Sequence, residues 1–514
     1  MAALAEETTV AGAPAVERAA DAPAEARGVR RARATLLLLA PLLLLAVLSI
    51  AFPQTDPDYW WHARTGQYIV ETGTLPRTDI FSYTAAGQPW VTHEWLTEVV
   101  FFLVARQAGY VGNVVLFGLL VAGALLAVYA MCRRRGAGAV GATLLTLWAF
   151  VIAMPQLNVR PQVVTFFCLA IFALLLTLYR QGDTRALWPL PPLMALWANL
   201  HGGYIIGLAL LGLTIAGEVA ARLFRREAAP LRPLLAATAM TGLATLLTPH
   251  GLEALRYPFT YAGTGNASMR FIAEWQSPDF HQPIFLVFAA SLLLLLVLGV
   301  GRRPLGPTET LWAVAFALLG LQSMRHIPLY AVVVTPLVGA RLAAELAPYR
   351  GRWPRWEWRA HTAAGALAAL LPLLFLGGAL AQPGATSHLQ LGREPGAAGY
   401  PAGAVAYLRA QHLRGNLYND YAWGGYLIYE LYPDRRVFVD GRADVYGDAF
   451  VTEARAVEKV RPDWRQILDR YDVQLALTGK DSALAGALRA DPGWREVYAD
   501  TTAELFTRVP SDGR

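Results

Sequence analysis

Hydrophobic positions in this chain rarely alternate with polar ones; they gather in long uncharged blocks parted by short polar or basic segments. Blocks at 34–52, 111–132, 138–156, 161–179, 186–200, 202–221, 233–249, 283–301, 308–324, 327–345 and 361–381 each predict a helix able to cross ~30 Å of hydrocarbon at ~1.5 Å per residue. That makes eleven spans, with ten or twelve as alternatives because Pro189, Pro191 and Pro192 break into the 186–200 block. The first block, Ala34 to Phe52, holds 19 residues without a charge. It outruns the roughly 7–15 residues of a signal-peptide core and so reads as a span and not as a cleaved leader.

Ahead of it, residues 1–33 are rich in Ala, Glu and Pro and then basic, and predict a disordered cytoplasmic tail. The segment 53–107 predicts a large first outer loop on the membrane surface, with an amphipathic stretch from Glu94 to Ala105. From 382 to 514 the blocks vanish. Strands are expected at Asn416–Asn419, Arg436–Asp440 and Val473–Thr478, helices at 402–412, 423–431, 463–471 and 482–490, and a closing hairpin at Trp494–Ala499 and Ala503–Arg508. The fold class expected is therefore a polytopic α-helical membrane protein of about eleven transmembrane helices, spanning 34–381, with a small C-terminal extracytoplasmic α/β domain.

Composition supports this reading: of 514 residues, 55% are hydrophobic and 16% charged, which excludes a soluble cytosolic enzyme. The net charge of +6 sits in short arginine clusters and forms no stripe suited to nucleic acid. Arg133–Arg135, Arg180 with Arg185, Arg222 with Arg225 and Arg226, Arg302 with Arg303, and Arg350–Arg359 fall in alternate loops on the side of the basic N-terminus. By the positive-inside rule that side is cytoplasmic, and an odd span count puts the C-terminus outside. Cys132 and Cys168 lie in or beside apolar spans and build neither a disulfide framework nor a cysteine metal site. The tract Trp353–Arg359 is basic and aromatic, suited to anionic headgroups.

The outer loops carry mixed acids, histidines and arginines, and such residues at helix ends on one face describe a site more than simple solvation. The densest group is Thr55-Asp56-Pro57-Asp58-Tyr59-Trp60-Trp61-His62. Two acids one residue apart can bind a cation, or one can act as base while the other orients it; solvation of the span's end is the plainer alternative. His62 and His93 with Glu94 could complete a divalent-cation site, although no pair of histidines four apart is present. His201 precedes Gly202 and Gly203, which permit close backbone approach. Asp440-Gly441-Arg442-Ala443-Asp444 reads either as a ligand site at a strand end or as a loop tied by its own salt bridges. No glycine-rich nucleotide loop is present.

An Asp-x-Asp pair opening a long first outer loop, followed by many spans, resembles the GT-C superfamily of integral-membrane glycosyltransferases over roughly 34–381. Asp58–His62, Arg64–Gly66, Trp90–Trp95, Asn199–Gly203, Pro249–Gly251, Glu274–Asp279, Asn419–Tyr426 and Asp440–Tyr446 also resemble bacterial membrane proteins of this class. The resemblance implies sugar transfer from a polyprenyl-phosphate donor to a glycan, lipid or protein acceptor outside the bacterial inner membrane. It implies Asp58 as base with Asp56 as partner, or the reverse, and His62 and Glu94 beside them. For the phosphate, Arg160, Arg270 and Arg325 are the cations best placed by topology, with His201 and His326 as further substrate contacts. A flippase or transporter for a lipid-linked glycan, or a non-catalytic envelope scaffold, would use the same residues without chemistry.

Overall fold

The structure is a computed structural model that describes residues 56–260, 271–299, 305–346 and 399–509. The expected spans 34–52 and 361–381, the tract Trp353–Arg359 and the candidate Arg270 lie outside the described residues.

Helices form where the apolar blocks predict them. After α1 (Tyr59–Thr72), the chain runs through α2 (Trp95–Arg134), α3 (Ala139–Ala153), α4 (Gln162–Arg180), α5 (Leu190–Leu200), α6 (Tyr204–Leu223), α7 (Leu231–Ala244), α8 (Leu252–Thr260), α9 (Pro283–Gly299), α10 (Pro307–Gln322) and α11 (Ile327–Leu346). Among the described residues, five helical stretches are long and apolar enough to cross a membrane: Trp95–Arg134, Ala139–Gln156, Gln162–Arg180, Tyr204–Leu223 and Met324–Glu345. The other apolar blocks within the described residues fold as helices too short for that criterion, among them α9 with 17 residues. The amphipathic stretch 94–105 belongs to α2, which bends at Gly109 (φ 64°, ψ −166°), a conformation open to glycine. Helix α1 has no counterpart among the expected elements.

The far ends of the helices are tied by buried charge. Arg180, at the C-terminus of α4, bonds Glu218 of α6 at 2.6 Å and pairs with Glu309 of α10, while Arg135 reaches Glu309 at 3.6 Å. Thus two arginines expected simply to face the cytoplasm are interhelical ties. Nineteen residues of α4 separate this cluster from Arg160, a rise of about 28 Å.

The C-terminal part comprises α12 (Ala402–Ala410), β1 (Asn416–Asn419), α13 (Gly424–Leu431), α14 (Ala443–Glu458), α15 (Trp464–Arg470), β2 (Val473–Gly479), α16 (Ala483–Arg489), β3 (Trp494–Ala499) and β4 (Ala503–Arg508). The sheet order is β1-β2-β4-β3, with β1 parallel to β2 and the other pairs antiparallel. Arg436–Asp440 is not a strand of this sheet. It runs beside the first loop instead, with a parallel bridge from Val437 to Ser82, and Asp440–Asp444 leads into α14, which the alternation did not reveal. Trp60 of α1 packs edge-on against Tyr400 and Tyr426, at 5.3 and 4.9 Å between ring centres, so first loop and C-terminal part share one core.

Candidate active site at the first-loop acids

Asp56 and Asp58 sit where the chain turns into α1. Asp58 is the N-cap residue, yet its side chain makes no capping bond. Its Oδ1 accepts from Trp61 Nε1 at 3.1 Å and its Oδ2 pairs with Arg160. Buried Asp56 accepts from the Asp58 amide at 2.9 Å and from Asn158 Nδ2 at 2.6 Å, with Arg160 Nη1 3.6 Å away. Arg160, in the turn before α4, also bonds Glu274 at 2.7 Å, and Glu274 reaches Arg325 at 3.1 Å. One guanidinium therefore serves three carboxylates. Burial opposes its charge, but Asp56, Glu274 and Asp58 hold its pKa well above the ordinary arginine value. The same two arginines keep Glu274 below the usual glutamate range against the pull of burial.

Burial dominates at Asp56 and raises its pKa to about 6, with Arg160 opposing and Asp58 reinforcing. A raised carboxylate favours the folded state below its unfolded pKa, and that stability is lost as pH rises through about 6. Asp56→Asn is expected to raise the melting temperature at pH 7.5 by a few degrees, on the order of 2 kcal/mol, with the gain shrinking towards pH 5. Asn158 Oδ1 is buried without a partner, so its amide can turn over and receive the new NH2. An equal gain at both pH values would contradict this account.

A second group centres on Glu94, directly before α2. Its Oε1 lies 3.3 Å from His93 Nε2 and 3.2 Å from His201 Nε2, and its Oε2 lies 3.5 Å from His62 Nε2. Burial raises its pKa, but His93, His62 and His201 together hold it well below the usual range. His201 is pushed down to about 3, first by burial and then by Arg325, His93 and Arg160, against Glu94. The Gly203 amide donates to His201 Nδ1 at 2.9 Å, which places the proton of this neutral ring on Nε2, towards Glu94. A Cβ on Gly202 would lie 2.9 Å from His93 Cδ2, so glycine is what lets these loops meet.

His62, Glu94 and Glu98 bring one ligand atom each within 4.8 Å of one another, and Glu98 Oε2 is buried without a partner. This nitrogen-and-oxygen set fits a small divalent cation. His62 turns Nδ1 to Glu98 at 3.2 Å and Nε2 to Glu94, so a cation would take only one of its nitrogens.

Asp58, His62, His93, Glu94, Arg160, His201, Glu274 and Arg325 line one cavity of about 640 Å³, with Gly441 to Asp444 in its wall, while Asp56, Asn158 and Glu98 stand behind this lining. His326 lines it too, beside Trp275 with ring centres 6.0 Å apart. Tyr257 also lines it, with its ring tilted against His93 at 4.2 Å between centres, and donates to Asp444 at 3.0 Å. The structure thus brings Asp56, Asp58, His62, Glu94, Arg160, His201, Arg325 and His326 together. Glu274, Asn158 and Asp444 join them unanticipated as site residues. Glu274 and Asp444 stood in segments already noted, while Asn158 carried no signal beyond lying two residues from Arg160.

An apolar groove of about 510 Å³ between α6 and α10 adjoins the cavity, and Ile206, Leu319 and Gln322 line both.

No family profile and no curated protein sequence matches the chain. Solved structures do. The archaeal oligosaccharyltransferase AglB from Archaeoglobus fulgidus, in complex with an inhibitory peptide and a dolichol-phosphate, superposes with TM-score 0.53 at 12% identity over 93% of this chain and 75% of its own. ArnT from Cupriavidus metallidurans, bound to undecaprenyl phosphate, gives 0.51 at 16% identity over 93% and 98%. The arabinofuranosyltransferase AftD from mycobacteria gives 0.52 at 13% identity over 92% of this chain and 41% of its own. The chain therefore shares its fold with these solved structures, the fold that the resemblance to the GT-C superfamily implied.

Proposed function

We propose that the protein is a glycosyltransferase that moves a sugar from a polyprenyl-phosphate donor to an acceptor at the outer face of the bacterial inner membrane. The observation that carries this reading is the junction of two environments. An apolar groove between membrane helices adjoins a polar cavity lined by Asp58, Arg160 and Arg325. A polyprenyl chain fits the groove and its phosphate would face the arginines. The neighbours in complex with dolichol-phosphate and undecaprenyl phosphate support the same donor class.

In this reading the acceptor hydroxyl or amide attacks the anomeric carbon, the bond from that carbon to the phosphate oxygen breaks, and Asp58 takes the acceptor's proton. Arg325 and Arg160 stabilise the charge left on the departing phosphate. Trp61 and Arg160 fix the two Asp58 oxygens. The eleven-span topology, with the C-terminal part outside, belongs to the same proposal, as does the boundary near 382.

Gly212 lines the groove with open space where a Cβ would stand. Gly212→Trp is expected to fill the tail's path and raise the KM for a polyprenyl-phosphate sugar by about tenfold or more, with kcat nearly kept. An unchanged KM would remove the groove from the donor site. Transfer of label from a polyprenyl-phosphate sugar by the purified protein tests the function itself; its absence with every donor and acceptor tried, while a lipid-linked glycan crosses a bilayer, would favour the flippase.

A further inference from the structure

Among the described residues, Glu274 bridges Arg160 and Arg325, two of the three arginines that line the cavity. Its Oε2 lies 2.7 Å from Arg160 Nη1 and its Oε1 lies 3.1 Å from Arg325 Nη1. One oxygen on each guanidinium is also how a phosphoryl group with two free oxygens would be held. We infer that the Glu274 carboxylate stands in the phosphate's place, and that a polyprenyl phosphate binds by displacing it. This rests on the donor class proposed above and adds a competition built into the site.

Position argues for displacement. Gln322 and Leu319, which line both groove and cavity, belong to α10, and Arg325 follows three residues after Gln322. A phosphate at the head of a chain in the groove would thus arrive where Glu274 now sits. Charge argues the same way. Arg160 already serves Asp58 and Asp56, so a phosphate added beside an unmoved Glu274 would place four anionic groups around two arginines. Like charges so close within a buried site are strongly unfavourable.

The mounting of Glu274 also suits release. It stands on a single 3-10 turn, Ala273–Trp275, held through its backbone by Ser323 Oγ on the Glu274 carbonyl at 2.9 Å and by the Met324 amide on Gln276 at 2.9 Å. Arg325 stacks 4.8 Å above Trp275, fixing the guanidinium apart from its bond to Glu274. Rotation of one side chain would therefore free the subsite while the backbone and Arg325 stay in place.

A purely structural role makes the opposite forecast. If Glu274 only holds the arginines in position, its loss slackens them and weakens anion binding. The test is the affinity of the purified full-length protein for undecaprenyl phosphate, by native mass spectrometry or microscale thermophoresis, for wild type, Glu274→Gln, Glu274→Asp and Arg325→Ala. Undecaprenol and phosphatidylglycerol serve as the phosphate-free and bulk-lipid comparisons. Glu274→Gln is expected to bind undecaprenyl phosphate about tenfold more tightly than wild type, because the competent state is no longer a minor one. Glu274→Asp should fall between them, and undecaprenol should show no gain. Equal or weaker binding by Glu274→Gln, with wild type binding and Arg325→Ala impaired, overturns the placeholder while sparing the donor site. An equal gain for phosphatidylglycerol also overturns it, since the subsite would then be a general lipid contact. Absence of undecaprenyl phosphate binding by wild type and Glu274→Gln alike overturns both this inference and the reading beneath it.

Discussion

Asp58→Asn is expected to lower sugar transfer by about a thousandfold while leaving affinity for undecaprenyl phosphate unchanged or tighter. Asparagine keeps the shape of the side chain and can still accept from Trp61 Nε1, the bond now at 3.1 Å, so α1 should form as before. It cannot take a proton from an attacking hydroxyl or amide, and a positioned base contributes roughly 10²–10⁴ in rate. The change also removes one of the three carboxylates on Arg160, which leaves that guanidinium more available to an anion. Single-turnover transfer set beside lipid binding separates the two effects. Turnover within threefold of wild type would exclude Asp58 as base and shift the role to Asp56, the other member of the pair. A chain that transfers no sugar in either form would instead support the transporter reading.

The second large effect is expected in the wall of the cavity, at Arg442. Only 2% of this residue is exposed. It bonds Asp440 through Nε at 2.8 Å and Nη2 at 2.7 Å, pairs with Asp79 of the first loop at 2.8 Å, and lies over the rings of Trp90 and Phe81 at 4.6 and 5.1 Å. Tyr446 also donates to Asp440, at 2.5 Å. Arg442→Ala would strand two buried carboxylates and open a void over the rings. Breaking a buried pair from one side costs about 3–5 kcal/mol, so a fall in melting temperature on the order of 10 °C is expected. Arg442→Lys should recover only part of it, because an ammonium cannot reproduce the two-pronged bond. The loss should reach the site as well. Gly441 stands against Asp58 so closely that a Cβ there would meet Asp58 Oδ1. Loosening of this corner should therefore lower transfer together with stability. A melting temperature within about 2 °C of wild type would show the cluster to be dispensable.

Much of the helical scaffold was legible because hydrophobic blocks have to fold as helices in hydrocarbon, where each backbone polar group must find its partner within its own segment. The C-terminal hairpin matched for a related reason: alternation and turn residues act over a few positions. Arg436–Asp440 went the other way. Its run of apolar residues suits a strand, but the partner it found is the first loop, through Ser82, and not the sheet. Helix α14 stayed hidden because Asp440–Asp444 reads as a loop up to the point where Arg442 turns inward to Asp79, a contact 363 positions away. The loop is tied by its own salt bridge, Arg442 to Asp440, and Asp444 lines the cavity.

By itself the sequence determined the membrane class, the order of apolar helices, and the acids, arginines and histidines from which a site would be built. These depend on composition and on periods of a few residues. Tertiary structure alone decided that Arg160 would serve Asp56, Asp58 and Glu274 at once, that Glu94 would gather three histidines, and that Gly441 to Asp444 would wall the cavity. The reason is physical: a buried charge is stable only beside its counter-charge. Helix packing chooses much of that counter-charge from segments some hundred residues away, as with Arg160 and its three carboxylates or Glu94 and His201, where no local pattern records the choice.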